Sequence, residues 1–229
     1  MITLPKAMTF DCYGTLIDWE SGIQQFFAQR LAAHHLEGLD PRALQHKWEE
    51  IQFVAIQQPY RPYRQVLHET MRMTLESWQI PYAEQDLEEF ATAMGSWPPF
   101  PDTHQALLEL QKLTKTVLIT NTDDEIIAQT ERTIGVTFDD IITAQQAGAY
   151  KPSHKGFLLA RQRLGLSVSE IWHAGFGFKY DIVPASELGY TTVWVNRQGQ
   201  ARPMNVHETF LVGDLRTLVY LVKGMAAEM

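Results

Sequence analysis

Ala7-Met8-Thr9-Phe10-Asp11-Cys12-Tyr13-Gly14-Thr15 is the stretch on which the fold turns. A short, largely apolar run ends on a carboxylate and a glycine turn. Such a run reads as a buried strand that delivers Asp11 to a loop at its carboxyl end. The same grammar returns three times. Thr116 to Ile119 ends on Thr120-Asn121, Ile171 to Ala174 ends on Gly175, and Thr191 to Val195 ends on Asn196-Arg197. Helical spacing fills the intervals. Ala106, Leu107, Leu110 and Leu113 share one face, as do Phe157 and Leu164, and as do Leu215, Leu218, Val219 and Val222 behind an N-cap at Asp214. Strands alternating with helices predict an α/β fold, a doubly wound parallel sheet covered on both faces. Ligands of such sheets bind beyond the carboxyl ends of the strands. Those ends carry Asp11, Thr120-Asn121 and the segment from Gly175 to Asp181.

Residues 18–97 break the rhythm. They hold helical segments and no convincing strand: Glu20 to Leu36, Pro41 to Gln57, Tyr63 to Trp78 and Glu84 to Met94. Leu67, Met71 and Leu75 share a face at i, i+4, i+8. The reading is a helical cap domain, 18–97, inserted into a Rossmann-like core formed by 1–17 and 98–229. The Pro-rich segment from Ser96 to Asp102 returns the chain to the core.

Composition sets outer bounds. The 229 residues are 45 % hydrophobic and 20 % charged, enough for a substantial core. Lys plus Arg number 19 against 27 Asp plus Glu, a formal net charge of −8. That balance argues against nucleic acid or an anionic membrane as partner. Arg61, Arg64 and Arg72 are too sparse for a phosphate track. No apolar stretch approaches the roughly 18 residues of a membrane span, and no signal-peptide pattern opens the chain. Cys12 stands alone, which excludes an intramolecular disulfide and a multi-Cys metal cluster and fits a cytoplasmic location. Aromatic residues make up 11 %, with six Trp, and their positions matter below.

Asp11-Cys12-Tyr13-Gly14-Thr15, Thr120-Asn121, Lys151-Pro152 and the Gly175 to Asp181 segment stand in the order found in the haloacid dehalogenase superfamily. The chain resembles that family over essentially its whole length. Asp11 to Glu20, Gly148 to Pro152 and Val193 to Arg197 are most similar to its L-2-haloacid dehalogenase branch. The resemblance implies that Asp11 is a nucleophile forming an ester with the substrate. It implies that Lys151 offsets the charge of Asp11, that Asp181 orients Lys151, and that Thr15, Thr120 and Asn121 supply neutral donors. By the same resemblance the substrate is a small 2-substituted carboxylic acid, no cofactor is needed, and the protein is a homodimer.

The departures from the family are aromatic. Magnesium-dependent phosphatases of the superfamily carry a second Asp two residues after the nucleophile and an acidic residue after the glycine of the last motif. This chain has Tyr13 and Phe176 there, which removes a general acid and a ligand for a hard cation. The expected enzyme is therefore metal-independent. Dehalogenases place small polar residues near the last Asp, where this chain has Phe176 and Phe178, and a tyrosine where it has Phe157. The arginine that grips a leaving halide has no clear counterpart in Gln45-His46-Lys47-Trp48. Tyr13, Trp19, Trp48, Phe176 and Phe178 are candidate substrate contacts, and each can equally be core. An aromatic wall suits a compact apolar or cationic substrate. Relatives that open azetidine-2-carboxylate by the same displacement supply a specific alternative, with a ring nitrogen as leaving group. A phosphatase and a non-catalytic binding protein are the rivals from other classes. Among the remaining residues, His173 reads as a satisfied core histidine, Cys12 as core, and His34-His35 as surface.

Overall fold

The computed structural model describes residues 2–203 and 206–227. In chain order its strands are β1 (Ala7–Phe10), β2 (Lys115–Thr120), β3 (Asp140–Thr143), β4 (Ile171–Gly175), β5 (Thr191–Val195) and β6 (Phe210–Val212). They form one six-stranded sheet in the order β3-β2-β1-β4-β5-β6, with every pairing parallel. This is the Rossmann-like arrangement expected. The strand order reverses between β1 and β4, where Thr9 pairs with His173 and Phe10 with Ala174. The ladder continues one residue further, as the Asp11 N–H donates to the Ala174 carbonyl at 3.0 Å. Asp11 therefore opens onto the crevice at the switch point, the place where such sheets bind ligands.

Core helices α5 (Thr103–Leu110), α6 (Asp124–Ile134), α7 (Ala144–Ala147), α8 (Lys155–Leu164), α9 (Val183–Glu187) and α10 (Leu215–Ala227) connect and cover the strands. Parallel strands need such crossovers, and burial on both faces explains the fully buried run of β1. Phe157, Ala160, Ala185 and Tyr190 cover one face over Val117, Ile119 and Ile171. Met8, Phe10, Leu118 and Trp172 belong to the larger cluster, which continues into α5 and α10 and into the helices preceding them in the chain.

Those preceding helices, α1 (Trp19–Ala33), α2 (Pro41–Ala55), α3 (Tyr63–Ser77) and α4 (Glu84–Ala93), which make up cap helices A, B, C and D in that order, all fall between β1 and α5. Asp18 accepts from the Ser21 N–H at the start of helix A, and Asp40 with Pro41 starts helix B. Phe26, Phe27, Trp48, Leu67, Met71 and Phe90 pack between them. The two connections to the sheet run side by side. The Asp18 N–H donates to the Pro98 carbonyl at 2.9 Å, and the Phe100 N–H to the Leu16 carbonyl at 2.9 Å. Among the described residues no helix is long and apolar enough to cross a membrane.

Candidate active site

Lys151 lies in the loop before α8, and its side chain is the centre of the site. Its Nζ donates to Asp11 Oδ1 at 2.8 Å and to Asp181 Oδ1 at 2.6 Å. All three residues are buried, Lys151 to 4 % exposure, Asp11 to 8 % and Asp181 to 1 %. The sequence separates them by 140 and 30 positions. The sheet brings them together because Asp11 ends β1 and Asp181 sits in a π turn, Phe178–Ile182, just beyond β4.

Each remaining carboxylate oxygen has its own donor. Thr15 Oγ1 donates to Asp11 Oδ2 at 2.7 Å and accepts from the Phe176 N–H at 2.8 Å. The Gly177 N–H donates to Asp181 Oδ2 at 3.1 Å. Thr15 itself is fixed by Arg197, whose Nε and Nη2 donate to its carbonyl at 3.0 and 2.8 Å. Arg197 is anchored in turn by Asp102 at 3.0 Å and lies 4.0 Å from the centre of the Phe100 ring. Behind Asp181, His173 is fully buried, with Nε2 at 3.4 Å from Asp181 Oδ1 and Nδ1 at 2.8 Å from Thr9 Oγ1. It is the bonded core histidine its sequence context suggested, and it also touches the site.

The charges sort themselves by these contacts. Burial opposes the Lys151 ammonium, but Asp11 and Asp181 outweigh it and push its pKa up to about 12. Burial also opposes the Asp181 carboxylate, yet Lys151 and His173 hold it below the usual range. Asp11 is pushed upward by its own burial and by the charge of Asp181, against the pull of Lys151 and Thr15. Burial drives the Cys12 thiol well above its ordinary value, so it offers no thiolate.

The other candidate residues divide. Asn121 spends its amide on the backbone of Lys151: Oδ1 accepts from the Lys151 N–H at 2.6 Å and Nδ2 donates to the Lys151 carbonyl at 3.1 Å. It fixes the backbone on both sides of the lysine's Cα. Thr120 is buried, its Oγ1 has no protein partner, and it lines a cavity of about 10 Å³ beside Asn121, Lys151 and Thr143. Among the aromatics, the Phe176 ring covers Gly14, whose positive φ of 96° and lack of a side chain let it approach. Tyr13 turns toward α6, with its hydroxyl 2.7 Å from Thr130 Oγ1. Trp19 and Trp48 pack together at 6.2 Å, and Trp48 Nε1 donates to Thr70 inside the cap. Phe178 takes the core alternative. The π turn carries its ring to Trp194 at 5.0 Å, into a satellite cluster with Ile182. Phe157 is fully buried, edge-on to His173 at 4.9 Å.

A magnesium ion does not fit this donor set. The four oxygens of Asp11 and Asp181 already accept from Lys151, Thr15 and Gly177, and Phe176 offers a ring where a third carboxylate would be needed. Among the described residues no group of three or more His, Cys, Asp or Glu side chains is arranged to hold a metal.

The haloacid dehalogenase-like hydrolase family model matches residues 5–189, which is most of the chain. The protein belongs to this family. Among curated members of wider reach, (S)-2-haloacid dehalogenase 4A of Burkholderia cepacia is 24 % identical over 206 residues, covering 87 % of this chain and 86 % of the relative. The (S)-2-haloacid dehalogenase of Xanthobacter autotrophicus is 26 % identical over 200 residues, covering 85 % and 76 %. A glyceraldehyde 3-phosphate phosphatase of Methanocaldococcus jannaschii is 32 % identical over 133 residues, 56 % of this chain and 58 % of its own. The L-2-haloacid dehalogenase structure from X. autotrophicus superposes with a TM-score of 0.82 at 23 % identity, covering 96 % of this chain and 99 % of its own. A second structure of that enzyme, with chloropropionic acid covalently bound, also gives 0.82 at 22 % identity, covering 96 % and 99 %. This haloacid dehalogenase-like hydrolase therefore shares the fold across both the sheet and the helical cap.

Proposed function

We propose that the protein hydrolyses a small 2-substituted carboxylic acid without a metal, through an ester on Asp11. The observation that carries this reading is the buried Asp11–Lys151–Asp181 cluster with Thr15 on the free oxygen of Asp11. A carboxylate oxygen of Asp11 bonds to the sp³ carbon at position 2, and the leaving group departs with the electrons of its bond. Holding the two at attack distance supplies much of the rate. Water then adds to the aspartyl carbonyl, the ester bond breaks, and a 2-hydroxy acid leaves with Asp11 restored. Lys151 balances the charge that develops on Asp11, and Asp181 with His173 keeps Lys151 in place. The relative with chloropropionic acid covalently bound supports an ester intermediate. The loss of an acid at Tyr13 and Phe176 weighs against phosphoryl transfer.

A second reading concerns the leaving group. The cap stretch that should grip a halide offers Gln45, 1 % exposed and bonded to Gln24, where a cation would be needed. That favours a leaving group needing no such grip, such as the protonated nitrogen of a strained ring in azetidine-2-carboxylate. The experiment is single turnover in ¹⁸O-water with 2-chloropropionate and, separately, with azetidine-2-carboxylate. Label entering Asp11 is expected, and the substrate that delivers it identifies the leaving group. Absence of label with both, or turnover that survives Asp11→Asn, overturns the ester mechanism.

A further inference from the structure

We infer that Glu49 of the cap is the counter-ion for a protonated nitrogen on the substrate; this rests on the proposed reading of a small carboxylic acid bound at Asp11. Glu49 sits on helix B, one turn after Gln45 and one turn before Phe53, so the three form a stripe at i, i+4, i+8. The stripe faces the loop that carries Asp181. The Phe53 ring meets Tyr180 edge-on at 5.6 Å, and Lys179 Nζ lies 5.4 Å from the centre of the same ring. Tyr63 approaches from helix C, where its hydroxyl accepts from Gln52 Nε2 at 3.1 Å. Burial, and after it the charges of Tyr63, Glu49 and Asp181, push the Tyr180 phenol upward.

Glu49 is half-buried and badly partnered. Among the described residues it has one hydrogen bond, from Gln45 Nε2 at the outer limit of 3.5 Å, and Gln45 gives its oxygen to Gln24. No Lys, Arg or His of the described residues forms an ion pair with it. Burial raises its pKa, the hydrogen bond from Gln45 lowers it, and the charge of Glu20 raises it again. A carboxylate withdrawn from water without a cation is costly, and a cation brought from outside relieves that cost. Phe53, one turn along the same stripe, already holds the Lys179 ammonium over its ring, as an aromatic face favours a cation. A halide leaving group would be repelled by the same carboxylate. The chemistry selected is a carboxylic acid bearing an ammonium close to its reacting carbon.

The test separates charge from shape. L-proline and (S)-tetrahydrofuran-2-carboxylate differ mainly in a protonated nitrogen against a neutral oxygen, and their affinities are measured by calorimetry on the wild-type protein, Glu49→Gln and Glu49→Ala. Wild type should prefer proline by at least about 10-fold, as for a desolvated charge pair. Both variants, shown folded by circular dichroism, should lose that preference while keeping their affinity for the oxygen analogue. A preference that survives both substitutions, or is missing in wild type, overturns the role of Glu49. Failure of the ester mechanism reads out separately: no label then enters Asp11, whatever the binding ratio.

Discussion

Lys151 Nζ is the single contact that keeps two buried carboxylates compatible. Replacing it by Met leaves Asp11 and Asp181 charged, buried and facing one another. Breaking a buried pair in this way costs about 3–5 kcal/mol. Lys151→Met should therefore lose turnover and lose stability by that order in urea denaturation near neutral pH. The loss should shrink as pH is lowered, because protonating a carboxylate removes the repulsion. Asp11 adds a kinetic prediction. Since burial and Asp181 push it upward, the acid limb of the single-turnover rate should fall at a pH above the ordinary Asp value of 3.8. A limb at or below that value would show Lys151 and Thr15 winning over burial. Asp11 was legible in the sequence as a carboxylate at the end of a buried strand, whereas Lys151 and Asp181 took their expected roles from the family resemblance. His173 and Arg197 were not given these roles, since one acts through Asp181 and the other through the Thr15 carbonyl, and a backbone acceptor leaves no motif. Whether Phe178 is core or wall could not be read from the sequence, because a π turn, rather than the loop sequence, decides which way its ring faces.

The cap helices and four of the strands could be read from their patterns because each buries a long, regular face. β3 and β6 could not: Asp140-Ile141-Ile142-Thr143 and Phe210-Leu211-Val212 are short edge strands, and Leu211 is 53 % exposed. The docking of helix C was equally hidden. That helix has no side-chain cap of its own, and Asp123, three residues beyond β2, accepts from the Tyr63 and Arg64 N–H groups at 2.8 Å each. Tyr150, next to Lys151, adds a hydrogen bond to the Arg61 carbonyl at 2.6 Å. The loops carrying Asn121 and Lys151 are thus the loops that hold the start of helix C. Asp123→Ala should cost about 1–2 kcal/mol, the usual worth of an N-cap, and should raise KM more than it lowers kcat. A change confined to stability, with KM unaltered, would show that this contact does not set cap position. Thermal unfolding and steady-state kinetics on the same variant distinguish the two.

Across the whole molecule, part of the aromatic excess lies where cap meets sheet. Tyr150 reaches Arg61 and Tyr180 meets Phe53, while Tyr13 turns to Thr130 within the core. Burial pushes the phenols of Tyr13, Tyr63, Tyr150, Tyr180 and Tyr190 upward, the last to about 12. A phenol whose pKa is higher in the folded state than its unfolded value of 10.0 contributes stability that is intact below that value. Above it the unfolded chain releases protons that the folded chain retains, so the unfolding free energy falls with rising pH. Lys151 has the same sign, its contribution being lost between 10.5 and about 12. The urea midpoint should stay level from about pH 8 to about pH 9.5 and then drop steeply toward about pH 12. The phenolate absorbance of these buried tyrosines should appear together with unfolding rather than before it. Ionisation of Tyr63, Tyr150 and Tyr180 in a still-folded chain would mean that the seam admits water and that cap and sheet part below the global transition.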